Sequence, residues 1–256
     1  MVTPAPDPDA RYQREYFETG NYADRGLGRF SMYWFARRYY AALVRRFAPQ
    51  SGASGSRTDG GSLLEIGVGL GDLLSLLQDD FECSGIDVSS FSVEHARSLA
   101  GRATITVGDA GNLQHIAAGS FDVVVALHVV EHLDDPAAAI AEIHRILRPG
   151  GLWLFATPNP GYTLRRYKDH ATDAIGSDPT HVNVRPPAQW RSWCEDAGFT
   201  VLRQFGDGLW DVPYLPRVPS SMQFAVFGLP AFAQVVTRTT WTPLDWGVNQ
   251  IVICRR

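Results

Sequence analysis

The chain has little that would cross-link a fold. Its 256 residues include only three cysteines, Cys83, Cys194 and Cys254, which lie far apart and form no CxxC pair. Unpaired thiols of this kind are typical of a reducing compartment, so we expect a cytoplasmic location and no disulfide framework. The first ten residues have neither a basic nor an apolar segment, and we therefore expect no secretory signal.

Long apolar runs and a surplus of positive charge are also missing. The closest candidate for a membrane span, residues 222–236, contains Pro230 and is too short to cross a bilayer as a helix. The formal net charge is −4, whereas proteins that bind nucleic acids usually carry an excess of lysine and arginine. We expect no nucleic-acid partner and no stable membrane insertion, and the oligomeric state stays open.

What the sequence does have is an alternation of strand and helix patterns from residue 62 to residue 156. Short apolar runs predict strands at 63–66, 83–88, 104–107, 121–127 and 152–156, with helix patterns between most of them. Two further strands, at 200–205 and 250–254, would complete the sheet. The pattern predicts an α/β fold with a doubly wound, mostly parallel, seven-stranded, Rossmann-like sheet whose last strand is antiparallel. Ligands of such sheets bind beyond the carboxyl ends of the strands.

The composition divides the chain into three parts. Residues 1–48 form a tail and a helical cap, because apolar residues recur at helical spacing over 30–48. Residues 49–61, rich in glycine and serine, are predicted to form a flexible linker. Residues 62–256 form the core, in which the irregular stretch 157–186 and the aromatic-rich insertion 207–246 supply a lid and the acceptor pocket.

Three alternate glycines mark the predicted ligand site. Gly67, Gly69 and Gly71 follow the first strand, where a turn without Cβ atoms lets a ligand approach the backbone closely. Asp87 ends the second strand, twenty residues after Gly67, and an acid there can accept hydrogen bonds from ribose hydroxyls. Asp109 ends the third strand and could accept a hydrogen bond from an adenine amino group.

Taken together, the motifs resemble those of class I methyltransferases that use S-adenosyl-L-methionine. The resemblance covers residues 60–206 and the terminal strand. Within the family, the block 127–132 is similar to that of the ubiquinone-biosynthesis type and other small-molecule O-methyltransferases. It depends on the motifs Glu65-x-Gly67-x-Gly69-x-Gly71, Gly85-Ile86-Asp87, Gly108-Asp109-Ala110, Phe121-Asp122-Val123-Val124, Glu131-His132-Leu133 and Leu147-Arg148-Pro149-Gly150-Gly151.

The resemblance implies a role for each matching position. The glycines flank the methionine half of the cofactor, Asp87 holds the ribose, and the block that follows the fourth strand passes close to the acceptor. An N-terminal segment often folds over the cofactor, which makes Tyr16 a candidate contact. The cofactor-binding set implied in this way is Glu65, Gly67, Val68, Gly69, Gly71, Asp87, Val88, Asp109, Ala110, Leu127, His128 and Tyr16.

Two histidines are candidates for catalysis. His128 stands where some ubiquinone-type relatives have the first glutamate of a metal-binding Glu-x-x-Glu-His sequence. His128, Glu131 and His132 could still ligate a metal, but Glu131-His132 is structural in other relatives, so we expect no metal. His181 lies in Asp178-Pro179-Thr180-His181, similar to a sequence of some small-molecule methyltransferases. An imidazole titrates near working pH, so either residue could deprotonate an acceptor hydroxyl.

The sequence therefore predicts an enzyme that methylates a hydroxyl of a small apolar or aromatic metabolite. Alternatives are N- or C-methylation of a natural-product precursor, or a membrane-associated quinone methyltransferase. A nicotinamide-dependent oxidoreductase would share the glycine turn and Asp87, although Gly71 departs from the usual G-x-G-x-x-G spacing. A cofactor-binding protein without catalysis is a further alternative.

Overall fold

The protein was analysed as a computed structural model, which describes residues 12, 29–49, 60–169 and 173–256. Seven strands form one sheet in the order β3-β2-β1-β4-β5-β7-β6, and β7 is antiparallel to both of its neighbours. The strands are β1 Ser62–Ile66, β2 Glu82–Asp87, β3 Thr104–Val107, β4 Phe121–Leu127, β5 Leu147–Pro158, β6 Thr200–Gly206 and β7 Asn249–Arg255. The predicted fold class is confirmed.

Helices cover both faces of the sheet, as the nearly continuous apolar sequence of β4 requires. Helices α1 to α3 pack on one face in a core that includes Leu43, Leu74 and Val125, and α4 and α5 pack on the other in a core that includes Ile143 and Trp153. The α-helices are α1 Met32–Phe47, α2 Asp72–Leu77, α3 Ser90–Leu99, α4 Pro136–Ile146, α5 Pro187–Asp196, α6 Ser220–Gln223 and α7 Leu229–Thr237.

Local sequence signals place two helix starts at the site edge of the sheet. The hydroxyl of Ser89 accepts a hydrogen bond from the Ser92 N–H at the start of α3, and the Asp135 carboxylate accepts one from the Ala138 N–H at the start of α4. Both caps satisfy N–H groups that have no partner within their helix. Each helix therefore begins close to the carboxyl end of the strand that precedes it.

The segment 207–246 contains helices that the sequence pattern did not reveal. Pro230 was expected to interrupt the apolar stretch, but it lies in the first turn of α7, where its missing N–H removes no hydrogen bond of that helix. A π-helical turn, Phe224–Gly228, connects α6 to α7. The stretch thus continues as one helical segment from 220 to 237.

The division into cap, linker and core stays a prediction. Helix α1 packs into the same core as β1 and β4, while most of the tail and the linker lie outside the described residues. No helix among the described residues combines the length and the apolar character that a bilayer crossing requires.

Candidate active site

The glycine turn after β1 adopts a conformation that depends on glycine. Gly67, Gly69 and Gly71 have φ angles of 73°, 50° and 86°, which side chains with a Cβ rarely adopt. A Cβ on Gly67 would lie 2.3 Å from Cγ2 of Val129. The Gly67 N–H donates to the Ile86 carbonyl at 2.8 Å, which ties the turn to the end of β2. The bare backbone therefore faces the space beyond the strand ends.

Asp87 fixes the other side of this turn. Its Oδ2 accepts a hydrogen bond from the Gly69 N–H at 2.9 Å, and its Oδ1 accepts one from the Ser89 N–H at 2.9 Å. One carboxylate thereby connects the glycine turn to the start of α3. The hydrogen bonds also hold negative charge at the carboxyl end of β2, where a ribose would approach.

One cavity of about 1000 Å³ opens at this edge of the sheet. Its size suits a ligand with an acceptor beside it, since small-molecule sites span roughly 300–1000 Å³. Most of the predicted site residues line it, namely Gly67, Val68, Gly69, Asp87, Val88, Asp109, Ala110, Leu127, His128 and His181. Glu65 and Gly71 are absent from the lining, and Tyr16 lies outside the described residues.

Asp109 lines the same cavity as Asp87, but its carboxylate already accepts a hydrogen bond within its own turn. Oδ1 of Asp109 accepts a hydrogen bond from the Gly111 N–H at 2.8 Å. The side chain is exposed, whereas Ala110 is buried. Both acids open into the same cavity, as a single nucleoside-binding site requires.

Glu65 lies buried in β1 below the glycine turn. Burial raises the pKa of its carboxyl to about 8, although the positive charge of Arg37 partly opposes the shift. The carboxyl is therefore largely protonated at neutral pH. The unfolded chain releases this proton near the ordinary glutamate pKa, so the stability linked to Glu65 falls as pH rises from about 4.5 to about 8.

We expect the substitution Glu65→Gln to raise the melting temperature by an amount that grows with pH over that range. Glutamine imitates the neutral acid but does not titrate. Calorimetric melts of the cofactor-free protein at several pH values would measure the difference. Glu82→Gln, at an exposed position of β2, is the matched control. An effect of Glu65→Gln that does not vary with pH would contradict this linkage.

His128 occupies a constrained position at the end of β4. Its φ is 58°, unusual for a residue other than glycine, and its N–H donates to the Ala156 carbonyl at 2.9 Å. The ring reaches the cavity, and its Nδ1 lies 3.4 Å from Oε1 of Glu131. Glu131 is fully buried, which alone would raise its pKa, but the imidazoles of His128 and His132 outweigh burial and hold that pKa below its usual value. A buried carboxylate thus orients the His128 ring.

His132 and His181 come from different segments and meet beside Glu131. Their ring centroids are 5.0 Å apart. Nδ1 of His132 lies 2.9 Å from the Thr180 carbonyl, and Nδ1 of His181 lies 2.9 Å from that of Ile175. Each Nδ1–H donates to its carbonyl, so each Nε2 keeps its lone pair, and Nε2 of His181 lies 3.8 Å from Oδ2 of Asp178.

Among the described residues, Glu131, His132 and His181 form a group that could surround a metal ion, with ligand atoms within 4.8 Å of one another. The donor set suits zinc or a similar divalent ion. It differs from the set suggested by sequence, since His181 takes the place of His128. The expectation that the enzyme uses no metal stays a prediction.

Asp207 was missed by the sequence analysis. It lines the cavity just after β6 and accepts hydrogen bonds from Trp210 Nε1 at 2.6 Å and from the Asn249 side chain at 2.7 Å. Burial raises its pKa to about 6 despite these hydrogen bonds. The sequence feature that could have revealed Asp207 is its position directly after β6, at the same edge of the sheet as Asp87 and Asp109. Tyr39 and Tyr40 from α1 also line the cavity.

Comparison with known proteins decides what this cavity binds. A family model described as a methyltransferase domain matches residues 33–204. The chain belongs to the methyltransferase domain family. It is a class I methyltransferase, its cofactor is S-adenosyl-L-methionine, and it is an enzyme. The match decides against a nicotinamide-dependent oxidoreductase and against a protein that only binds the cofactor.

Two relatives of this methyltransferase have names that agree with the family assignment, and one solved structure shares its fold. A probable S-adenosylmethionine-dependent methyltransferase of Mycolicibacterium smegmatis is 32% identical over 205 residues, which cover 78% of this chain and 72% of that one. A ubiquinone biosynthesis O-methyltransferase of Caulobacter vibrioides is 34% identical over 135 residues, covering 50% of this chain and 51% of that enzyme. The solved structure of a SAM-dependent methyltransferase from Thermotoga maritima superposes with a TM-score of 0.58 at 20% identity, covering 87% and 93% of the two chains.

The site fits the cofactor of this methyltransferase. The backbone of the glycine turn lines the same cavity as two strand-end acids, and the close contact of Gly67 with Val129 leaves no room for a Cβ at that turn. The individual roles of the site residues stay predictions, as do the cytoplasmic location and the absence of a nucleic-acid partner.

Proposed function

We propose that this methyltransferase methylates a hydroxyl group of a small apolar or aromatic acceptor. The observation that carries the proposal is the pairing of His128, on the cavity wall, with the fully buried carboxylate of Glu131. A histidine held in this way is suited to accept a proton from a hydroxyl. The relative named a ubiquinone biosynthesis O-methyltransferase is consistent with oxygen as the methylated atom.

One group of residues binds the cofactor, and His128 with Glu131 handles the proton of the acceptor. When bound, the cofactor supplies an electrophilic methyl group on a sulfonium. The glycine turn, supported from below by the buried Glu65, would hold its methionine half. Asp87 with Val88 would hold the ribose, and Asp109 with Ala110 would flank the adenine. Alignment of this kind contributes on the order of 7–11 kcal/mol to lowering a barrier. Nε2 of His128 accepts the hydroxyl proton, and Glu131 stabilises the imidazolium that results.

The remaining walls of the cavity select the acceptor and exclude water. Tyr12 lines the cavity and packs edge-on against His132 at a centroid distance of 6.0 Å. The lid and the acceptor pocket come from those residues of 157–186 and 207–246 that line the cavity. His181 is the second candidate base, at the rim of the same pocket.

The test is methyl transfer to a panel of acceptors. We expect phenols and catechols to yield S-adenosylhomocysteine, with the methyl located on oxygen by mass spectrometry. Aliphatic amines of similar size serve as the comparison. Methylation of amines or of carbon in preference to hydroxyls would overturn the proposal in favour of N- or C-methylation.

A further inference from the structure

The helical segment 220–237 lies in a stretch of unusual charge distribution. No charged residue occurs between Arg217 and Arg238, and no aspartate or glutamate occurs from 212 to 244. Both arginine side chains are exposed. Among the residues that the structure describes, neither guanidinium has a hydrogen bond or an ion pair. The segment is thus apolar, with one unneutralised positive charge at each end.

The polar side chains of this segment point inward. Gln223 is buried and hydrogen-bonds through both ends of its amide to backbone groups of residues 214–218. Gln234 is buried and bonds to the Gly206 carbonyl and the Thr242 N–H. The glutamines therefore anchor the segment to the fold, as buried polar groups must be satisfied.

Apolar side chains occupy the opposite face. Met222, Val226, Leu229 and Val236 are 61%, 66%, 59% and 54% exposed. Their spacing of four, three and seven residues places them along one side of the helical segment; we call these four residues the outer stripe. A helix on a water-exposed surface normally has the reverse arrangement. A contiguous exposed apolar patch of this kind marks an interaction surface.

The inner side of the same segment lines the cavity. Phe224, Ala231 and Val235 contribute to its wall, so a single helical layer separates the active site from the outer stripe. Trp241, which is 53% exposed, follows the segment, and tryptophan is favoured at the boundary between lipid and water.

We propose that the outer stripe docks on the surface of a bilayer that contains anionic lipids. The helical segment would lie in the plane of the interface, with apolar side chains among the acyl chains and the two arginines at the phosphates. As an extension that rests on the proposed function, the acceptor is a lipophilic molecule that enters the cavity from the bilayer.

The charges favour a bilayer over a second copy of the chain. In a symmetric dimer the same surface is used by both subunits. If the two helical segments pack side by side along the outer stripe, the arginines of one copy lie next to those of the other. The segment offers no acidic residue to neutralise them. An anionic lipid surface supplies the complementary charge.

The test is co-sedimentation of the full chain with vesicles of phosphatidylcholine, with and without phosphatidylglycerol. We expect the protein to pellet with the anionic vesicles. Leu229→Glu should lower the partition coefficient by about tenfold or more, since it removes a leucine from the apolar phase. Arg217→Gln should lower it by about fivefold on anionic vesicles alone. Leu99→Glu, at an exposed leucine of α3, is the matched control and should bind like the wild type.

Several outcomes would overturn the proposal. They are a wild-type protein that stays in the supernatant, an equal loss of binding in Leu99→Glu, and a dimer that Leu229→Glu converts to a monomer without any vesicle binding. Binding of S-adenosylhomocysteine and methylation of a water-soluble phenol are measured for each variant without vesicles. These two readouts test the proposed function separately, and we expect Leu229→Glu to leave them unchanged.

Discussion

Replacing Asp87 with alanine should weaken the binding of S-adenosylhomocysteine by about 100-fold or more. The substitution removes the acceptor for the Gly69 and Ser89 N–H groups, together with the acceptor proposed for the ribose. Hydrogen bonds to a charged group contribute roughly 1.5–3 kcal/mol each, and two of them correspond to at least about 100-fold in affinity. Isothermal titration calorimetry measures the change.

Two further variants make this experiment specific. Asp80→Ala removes an exposed carboxylate that pairs with Arg45 just before β2, away from the cavity, and should bind the ligand like the wild type. Asp87→Asn keeps the shape of the side chain but not its charge, so its affinity should fall between the two. Wild-type affinity in Asp87→Ala would refute the role assigned to this acid.

Replacing His128 with asparagine should lower kcat by about 10²–10⁴-fold, the usual contribution of a general base. Asparagine tolerates the positive φ of this position better than most residues, so the turn and the cofactor affinity should persist. His115→Asn, at an exposed histidine, is the control. Single-turnover formation of S-adenosylhomocysteine with a phenolic acceptor measures the effect.

The acidity of the acceptor gives a sharper readout of the same role. A base is needed only when the nucleophile still carries its proton, so the defect of His128→Asn should shrink as the phenol becomes more acidic or the pH rises. A structural role for His128 would slow all acceptors equally. A defect that is the same for every phenol would therefore exclude His128 as the base.

The strands and the cofactor side of the site could be predicted from the sequence, because the apolar runs and the residues that follow them indicate the same fold. Gly67, Asp87 and Asp109 are all strand-end residues, and parallel strands place such ends at one edge of the sheet. The helices that start at Ser90 and Pro136 follow the capping residues Ser89 and Asp135, residue types that favour a helix start.

The acceptor side could not be derived in the same way. The ring of His132 meets that of His181 because residues 180–183 fold against the backbone of Glu131, a contact that no periodicity encodes. In the segment 220–237, buried glutamines and exposed valines reverse the usual pattern of a surface helix, so its packing was not predictable from hydrophobicity.

The position of β7 between β5 and β6 has a consequence for synthesis on the ribosome. Both neighbours precede β7 in the chain and pair with it rather than with each other. Until Asn249–Arg255 has been translated, the nascent chain presents two open strand edges, and Asp207 lacks the Asn249 groups that hold it. Such edges are prone to pair with other chains, so we expect the nascent protein to be most prone to aggregation during the interval between translation of β6 and translation of β7.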